Sequence, residues 1–342
     1  MKPRHGNGRQ QGNVMKNIRK FLIAGLVGAA ALGAFATPQA EAAEDITYLL
    51  PAPGFLPAFS PWMLAKERGY YDDEGLNVTF QVAKGGVDVA KQVGAGNAVV
   101  GGAIGDTPIL VRANGVPVKA VAVLGGRSLM QLVVNTKRDI ETPADLKGKT
   151  ITAMAYQDTT FYALLGVLAS QGLGKDDVNA QAVGPVNIWK LFVAGESDAM
   201  ASVPDWTYYA MQSGMEGIKV IPSDEYFKSM AQAIIVADET IENNPELVRK
   251  LVRATLKGMK DIMDDPDGAA VDYVKAVPQN KGKEKDMAEI FRMFTKYVYS
   301  GQETLGLMDV ERLTALQEFY LEQGIVRTRT PVDELYTNQF VQ

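Results

Sequence analysis

Short apolar runs alternate with amphipathic stretches of helical period from Ile46 onward. That alternation narrows the fold to parallel sheets joined by crossover helices. Strands are expected at 46–50, 78–82 and 99–104, each followed by a turn and a helix, at 61–68, 87–93 and 108–113. A fourth strand, 118–124, ends in Gly125-Gly126, after which the pattern begins again with strands at 132–134, 150–155, 178–183, 199–203 and 219–221. Four helix starts carry a cap residue followed by proline: Ser60-Pro61, Thr107-Pro108, Thr142-Pro143 and Asn244-Pro245. A side-chain oxygen there can satisfy an orphan N–H, and proline needs no donor in the first turn. After a strand at 233–236 the last hundred or so residues read as helical, with Leu247, Leu251, Met259 and Ile262 on one side of the first helix.

Ahead of this pattern stands an export signal. From Met15 the chain has a basic segment (Lys16, Arg19, Lys20), an apolar core over 21–32, and Ala40 and Ala42 in an A-x-A arrangement, so cleavage is expected after Ala42. Residues 1–14 read as an upstream extension of a start at Met15. The apolar run is too short, and the chain beyond it too polar, for a permanent membrane span. Removing 1–42 takes six of the 35 Lys and Arg and one of the 40 acids, leaving 29 bases against 39 acids. A nucleic-acid partner calls for the opposite sign. The chain has no cysteine, and its one histidine, His5, belongs to the leader. Disulfides, thiolate metal sites, a cysteine nucleophile and lipidation at a cleavage-site cysteine are therefore excluded. Asp72-Asp73-Glu74 lacks the ligand spacing of a calcium loop and reads as a solvated helix end. Met200, Met211 and Met215 read as core filler.

The segment Ala65-Lys66-Glu67-Arg68-Gly69-Tyr70-Tyr71-Asp72-Asp73-Glu74-Gly75-Leu76-Asn77-Val78 resembles the A-x-x-x-G-(Y/F)-(Y/F)-x-x-x-G-L-x-V block of the type II periplasmic solute-binding proteins, in the branch serving sulfonate, nitrate, aromatic and thiamine-pyrimidine importers. The likeness continues through Gly85-Gly86, Val93-Gly94-Ala95-Gly96, Gly115-Val116-Pro117-Val118, Asp145-Leu146-Lys147-Gly148-Lys149 and Leu191-Phe192-Val193-Ala194-Gly195-Glu196-Ser197-Asp198-Ala199. The resemblance implies an α/β, two-lobed periplasmic binding protein type II fold, each lobe a mainly parallel sheet flanked by helices, with a helical C-terminal region. Lobe one would comprise 44–127 plus 229–342 and lobe two 128–228, with hinges near 127–130 and 228–231. The first strand after each crossing, 132–134 and 233–236, would run antiparallel to its sheet.

In open α/β sheets a ligand lies beyond the carboxyl ends of the strands, where helix N-termini offer free N–H groups. Here that rule nominates Gly85 and Gly86, Asp106 and Thr107, Arg127 and Ser128, Asp158 with Thr159 and Thr160, Asn187, and Asp205. Phe55, Phe59, Tyr156 and Trp206 can flank a planar solute or serve as ordinary core packing. The three aspartates can accept from ligand N–H or O–H groups or simply cap helices. Gly85-Gly86 permits close backbone approach or an ordinary turn.

Acids and rings outnumber bases in these loops, which favours a planar nitrogen heterocycle, such as a thiamine pyrimidine precursor, or another aromatic compound. The alternative is an anion, an alkyl sulfonate, nitrate or aromatic carboxylate, held by Arg127, Ser128 and the Gly85-Gly86 amides. By the same resemblance the chain would be a monomeric, periplasmic, non-lipidated component of an ABC importer that delivers its solute to an inner-membrane permease, with no cofactor, metal or catalytic residue. A pyrimidine-precursor synthase on this fold depends on histidine and a cysteine-rich segment, which the mature chain lacks. A regulator would need a DNA-binding domain and a chemoreceptor a further membrane span.

Overall fold

The computed structural model describes residues 42–156 and 158–341. The export signal, apart from Ala42, and His5 lie outside them. Residues from 42 onward form one compact unit.

Among the described residues ten strands form two five-stranded sheets. The first holds β1 (Glu44–Leu50), β2 (Leu76–Val82), β3 (Val100–Ile104), β4 (Val118–Val123) and β10 (Gln232–Ala237) in the order β2-β1-β3-β10-β4. The second holds β5 (Gln131–Asn135), β6 (Thr150–Ala153), β7 (Asn179–Ala182), β8 (Ala199–Ser202) and β9 (Ile218–Pro222) in the order β7-β6-β8-β5-β9. In each, the first three strands of the order are mutually parallel, and the strand that follows a crossing is antiparallel to both neighbours. These are β5 and β10, as the resemblance implied.

Alternation along β5 shows how the core is divided. Leu132 and Val134 face a cluster with Ile151, Phe161 and Leu164, whereas Val133 faces the opposite side, joining Phe192, Met200 and Trp206 in a cluster continuous with the first sheet. The long helix Pro245–Asp264 buries Leu247, Leu251, Met259 and Ile262 on one face, as its period predicts, against the helix Ser60–Glu67.

Three local expectations fail. Ser60 and Thr107 do not cap: their helices begin on them, one residue ahead of proline, so neither hydroxyl reaches a first-turn N–H and both oxygens are buried without a partner. Thr142-Pro143 opens a single 3-10 turn, Pro143–Leu146, while Asn244 does cap, accepting from Leu247 N at 3.3 Å. Met211 is 43 % exposed rather than core, at the solvent end of its helix, although Met200 is fully buried. Among the described residues no helix is long and apolar enough to cross a membrane.

A buried carboxylate cleft as the candidate binding site

The carboxyl ends of β1, β2, β3, β6 and β8 each feed a helix, and the starts of those helices converge. Between them lies about 560 Å³ of open space lined from the first sheet by Phe59, Gly86, Ile104 and Gln232 and from the second by Met154, Asp158, Thr160, Asp205 and Trp206. A wider mouth of about 1160 Å³ continues outward past Pro51, Ala52, Met154 and Asp158, which line both spaces, to Lys84, Gly85 and Tyr156. A space lined mostly by apolar groups, with a few convergent polar ones, between two sheets has the form of a small-molecule site.

The aspartates occupy three different electrostatic situations. Asp106, fully buried after β3, accepts from the Tyr320 hydroxyl at 2.5 Å through Oδ2, while its Oδ1 has no partner. Burial pushes its carboxyl up to about 6. Asp158 caps the helix Thr159–Ala169, accepting from Thr160 N at 2.9 Å and from the Thr160 hydroxyl, and burial raises it too. Asp205, in the first turn of the helix Pro204–Gln212, is fully buried with neither carboxylate oxygen hydrogen-bonded, and burial pushes it up to about 7. The capping alternative therefore describes Asp158 alone. An unpartnered buried carboxyl is costly, and Asp205 is the group whose cost a ligand donor would remove.

Phe59, Gly86, Asp158, Thr159, Thr160, Asp205 and Trp206 line the inner cavity, and Gly85 and Tyr156 its mouth. Gly85 has φ +90, and a Cβ on Gly86 would lie 3.2 Å from that of Ala103, so this glycine pair lets the helix start sit close to β3. Asp106 and Thr107 stand behind the wall with Tyr320. The remaining candidates lie elsewhere. Phe55 is 42 % exposed, its carbonyl accepting from Tyr273 and Asn280. Asn187 is exposed and donates to Val183 O at 3.2 Å. Ser128 is committed to Asp224 Oδ1 at 2.5 Å and Ser229 O at 3.2 Å, where the chain crosses between sheets, and Arg127 faces a different groove.

Two residues escaped the sequence reading. Gln232 opens β10 with its Oε1 buried and unpartnered at the cavity, and a lone amide at the head of an apolar strand is the signal that marks it. Tyr320 reaches Asp106 from a helix more than two hundred residues away, and no local pattern announces that contact.

The NMT1/THI5-like family model matches residues 56–269, more than half of the chain. The chain belongs to the NMT1/THI5-like family. A riboflavin-binding protein, RibY, of Chloroflexus aurantiacus is 27% identical over 322 residues, covering 90% of this chain and 89% of the relative. The 4-amino-5-hydroxymethyl-2-methylpyrimidine phosphate synthase THI13 of Saccharomyces cerevisiae is 26% identical over 278 residues, 75% of this chain and 79% of that one. In structure the chain is similar to the alkanesulfonate-binding protein SsuA of Xanthomonas axonopodis pv. citri, with a TM-score of 0.68, 18% identity and coverage of 87% of this chain and 99% of the other, a likeness of fold. The NMT1/THI5-like match spans every cleft loop from Phe59 to Trp206 and ends before Tyr320. In this NMT1/THI5-like protein the partner of Asp106 thus comes from outside the matched segment.

Proposed function

We propose that the chain is the periplasmic substrate-binding component of an ABC importer, exported by a cleavable signal and not an enzyme, and that it captures a planar nitrogen heterocycle for delivery to a permease. The observation that carries the ligand class is the charge of the inner cavity. Asp158 and Asp205 stand beside Phe59 and Trp206, and no lysine or arginine lines the space. Rings that sandwich a flat solute and acceptors for its N–H groups suit an aminopyrimidine or an isoalloxazine. An anion would meet buried carboxylates and no cation until Lys84 at the mouth. The relatives supply both chemistries by name, riboflavin binding and pyrimidine phosphate synthesis. For the synthase reaction this chain has no cysteine and, beyond His5, no histidine.

In this reading 44–127 plus 229–342 and 128–228 act as two lobes. The ligand touches both only when the cleft is shut and so shifts the population toward the closed form, which the permease then engages. A thermal-shift panel on ligand-stripped protein tests the assignment, with aminopyrimidines and riboflavin on one side and alkyl sulfonates, nitrate and aromatic carboxylates on the other. A true ligand at about 100 times its dissociation constant adds about 2.7 kcal/mol, a shift of roughly 5 °C. A shift with the anions alone would overturn the heterocycle assignment. Turnover of a bound heterocycle would overturn the binding-only role.

A further inference from the structure

The inner cavity and its mouth differ most in the room they offer. Only about 60 Å³ of the inner cavity is wide enough for a water-sized group, against about 610 Å³ of the mouth. A dry protein cavity that takes up one benzene ring measures about 150 Å³. As the walls stand, the inner cavity therefore admits the edge of a ring, and the mouth has room for the rest of a fused ring system.

The mouth is lined for such a load. Its walls come from different sheets, with Pro53 just past β1 and Val82 at the end of β2 on one side, and Tyr156 past β6 and Pro185 past β7 on the other. Single exposed apolar side chains are ordinary on any surface, but here Val82, 58 % exposed, and Tyr156, 48 % exposed, line one space. Tyr156 is also held in place. Its hydroxyl donates to Ala180 O at 3.0 Å, its ring meets that of Phe161 edge-on at 5.4 Å, and Lys175 Nζ lies 5.9 Å from its centroid. An aromatic ring fixed this way while nearly half exposed offers apolar contact with little ordering left to lose.

Asp158 stands where the two spaces join, since it lines both. Both bonds from Thr160 go to its Oδ1, which leaves Oδ2 open and without a partner among the described residues. A polar edge entering from the mouth meets this oxygen first.

We propose that the solute is a fused heterocycle of two or more rings. Its leading N–H edge enters the inner cavity and donates to Asp158 Oδ2, and its outer rings lie in the mouth against Tyr156 and Val82. The inference rests on the heterocycle reading above and adds the size of the solute to it. Because Tyr156 and Val82 belong to different sheets, the outer rings bridge the two, and the part of the solute that a single-ring compound lacks is the part that favours the shut cleft.

Uracil, lumazine and lumiflavin present the same pyrimidinedione N–H edge on one, two and three rings, and calorimetric titration with each tests the assignment. Affinity is expected to rise roughly tenfold or more from uracil to lumiflavin, with lumazine between them. Tyr156→Ala and Val82→Ser, both at exposed side chains, are expected to narrow that ratio by several-fold, whereas Tyr156→Phe, which keeps the ring, is expected to preserve it. Asp158→Asn, which alters the shared edge contact, is expected to weaken all three compounds by a similar factor and leave the ratio intact. Uracil binding as tightly as lumiflavin, or a ratio unmoved in both Tyr156→Ala and Val82→Ser, overturns the inference while the heterocycle reading stands. Binding by none of the three also overturns it, and the response to aminopyrimidines then decides whether the heterocycle reading falls with it.

Discussion

The two sheets are built to one plan, and the difference between them is chemical. In the orders β2-β1-β3-β10-β4 and β7-β6-β8-β5-β9, β3 and β8 are equivalent, and each is followed by a buried aspartate, Asp106 just before its helix and Asp205 in the first turn of its own. Asp106 receives the Tyr320 hydroxyl from the C-terminal helix Val310–Glu322, whereas Asp205 receives nothing. The C-terminal region therefore engages one of the two carboxyls within the fold and leaves the other without a side-chain donor. Equivalent topology fixes where a side chain points and says little about whether it is spent.

The largest expected effect lies on the unspent side. Asp205→Asn should weaken the cognate solute by roughly ten- to a hundredfold, the worth of a charged hydrogen bond, as read by calorimetry. The ligand-free protein should respond in the opposite sense. With its pKa raised to about 7 in the folded state against an ordinary carboxyl value when unfolded, Asp205 binds more protons folded than unfolded, so stability falls as pH rises toward 7. The asparagine variant lacks that loss, and its melting temperature should gain on wild type across that window. Equal affinity in the two proteins would remove Asp205 from the site and with it the contrast with Asp106.

How much of this was legible depends on the range of the interaction. The strands of each half, the antiparallel β5 and β10, and the buried face of Pro245–Asp264 follow from local period and the family blocks, because burial dictates that period. The rule of strand ends also put Asp158, Asp205 and Trp206 beyond the strands, where the structure has them lining the space between the sheets. The cap-then-proline pattern misassigned the hydroxyls of Ser60 and Thr107, since one residue of shift at a helix start turns a cap into a first-turn side chain. The rule of strand ends nominated Ser128, whose hydroxyl is taken by Asp224 from the returning crossing, a partner ninety-six residues away that no local pattern names.

The spent side yields a smaller effect. Tyr320→Phe leaves the Asp106 carboxyl without its donor and should cost about 1–3 kcal/mol of stability in urea unfolding at neutral pH. Tyr320 favours the ionised form, whose folded pKa already stands near 6, above the unfolded value. Without Tyr320 the folded carboxyl rises further, so the deficit of the variant should be full above that raised value, shrink as pH falls toward about 6, and stay at its residual size below, where Asp106 is protonated with or without Tyr320. A deficit independent of pH would mean that Tyr320 acts through packing against Tyr162, its ring neighbour at 5.8 Å.

Smallest is the cap at Asp158, which stands between the two extremes because one of its oxygens is bonded within its own turn. Asp158→Ala should cost about 1 kcal/mol, the usual worth of an N-cap, whereas Asp158→Asn keeps an acceptor for Thr160 N and should cost only a fraction of that. Solute affinity separates capping from recognition. If Asp158→Asn matches wild type in stability yet loses affinity, the second sheet contributes two carboxylates to the solute and the first none, which widens the contrast between the halves. If affinity is also unchanged, Asp158 joins Asp106 as a structural group and Asp205 alone carries the charge that the solute meets.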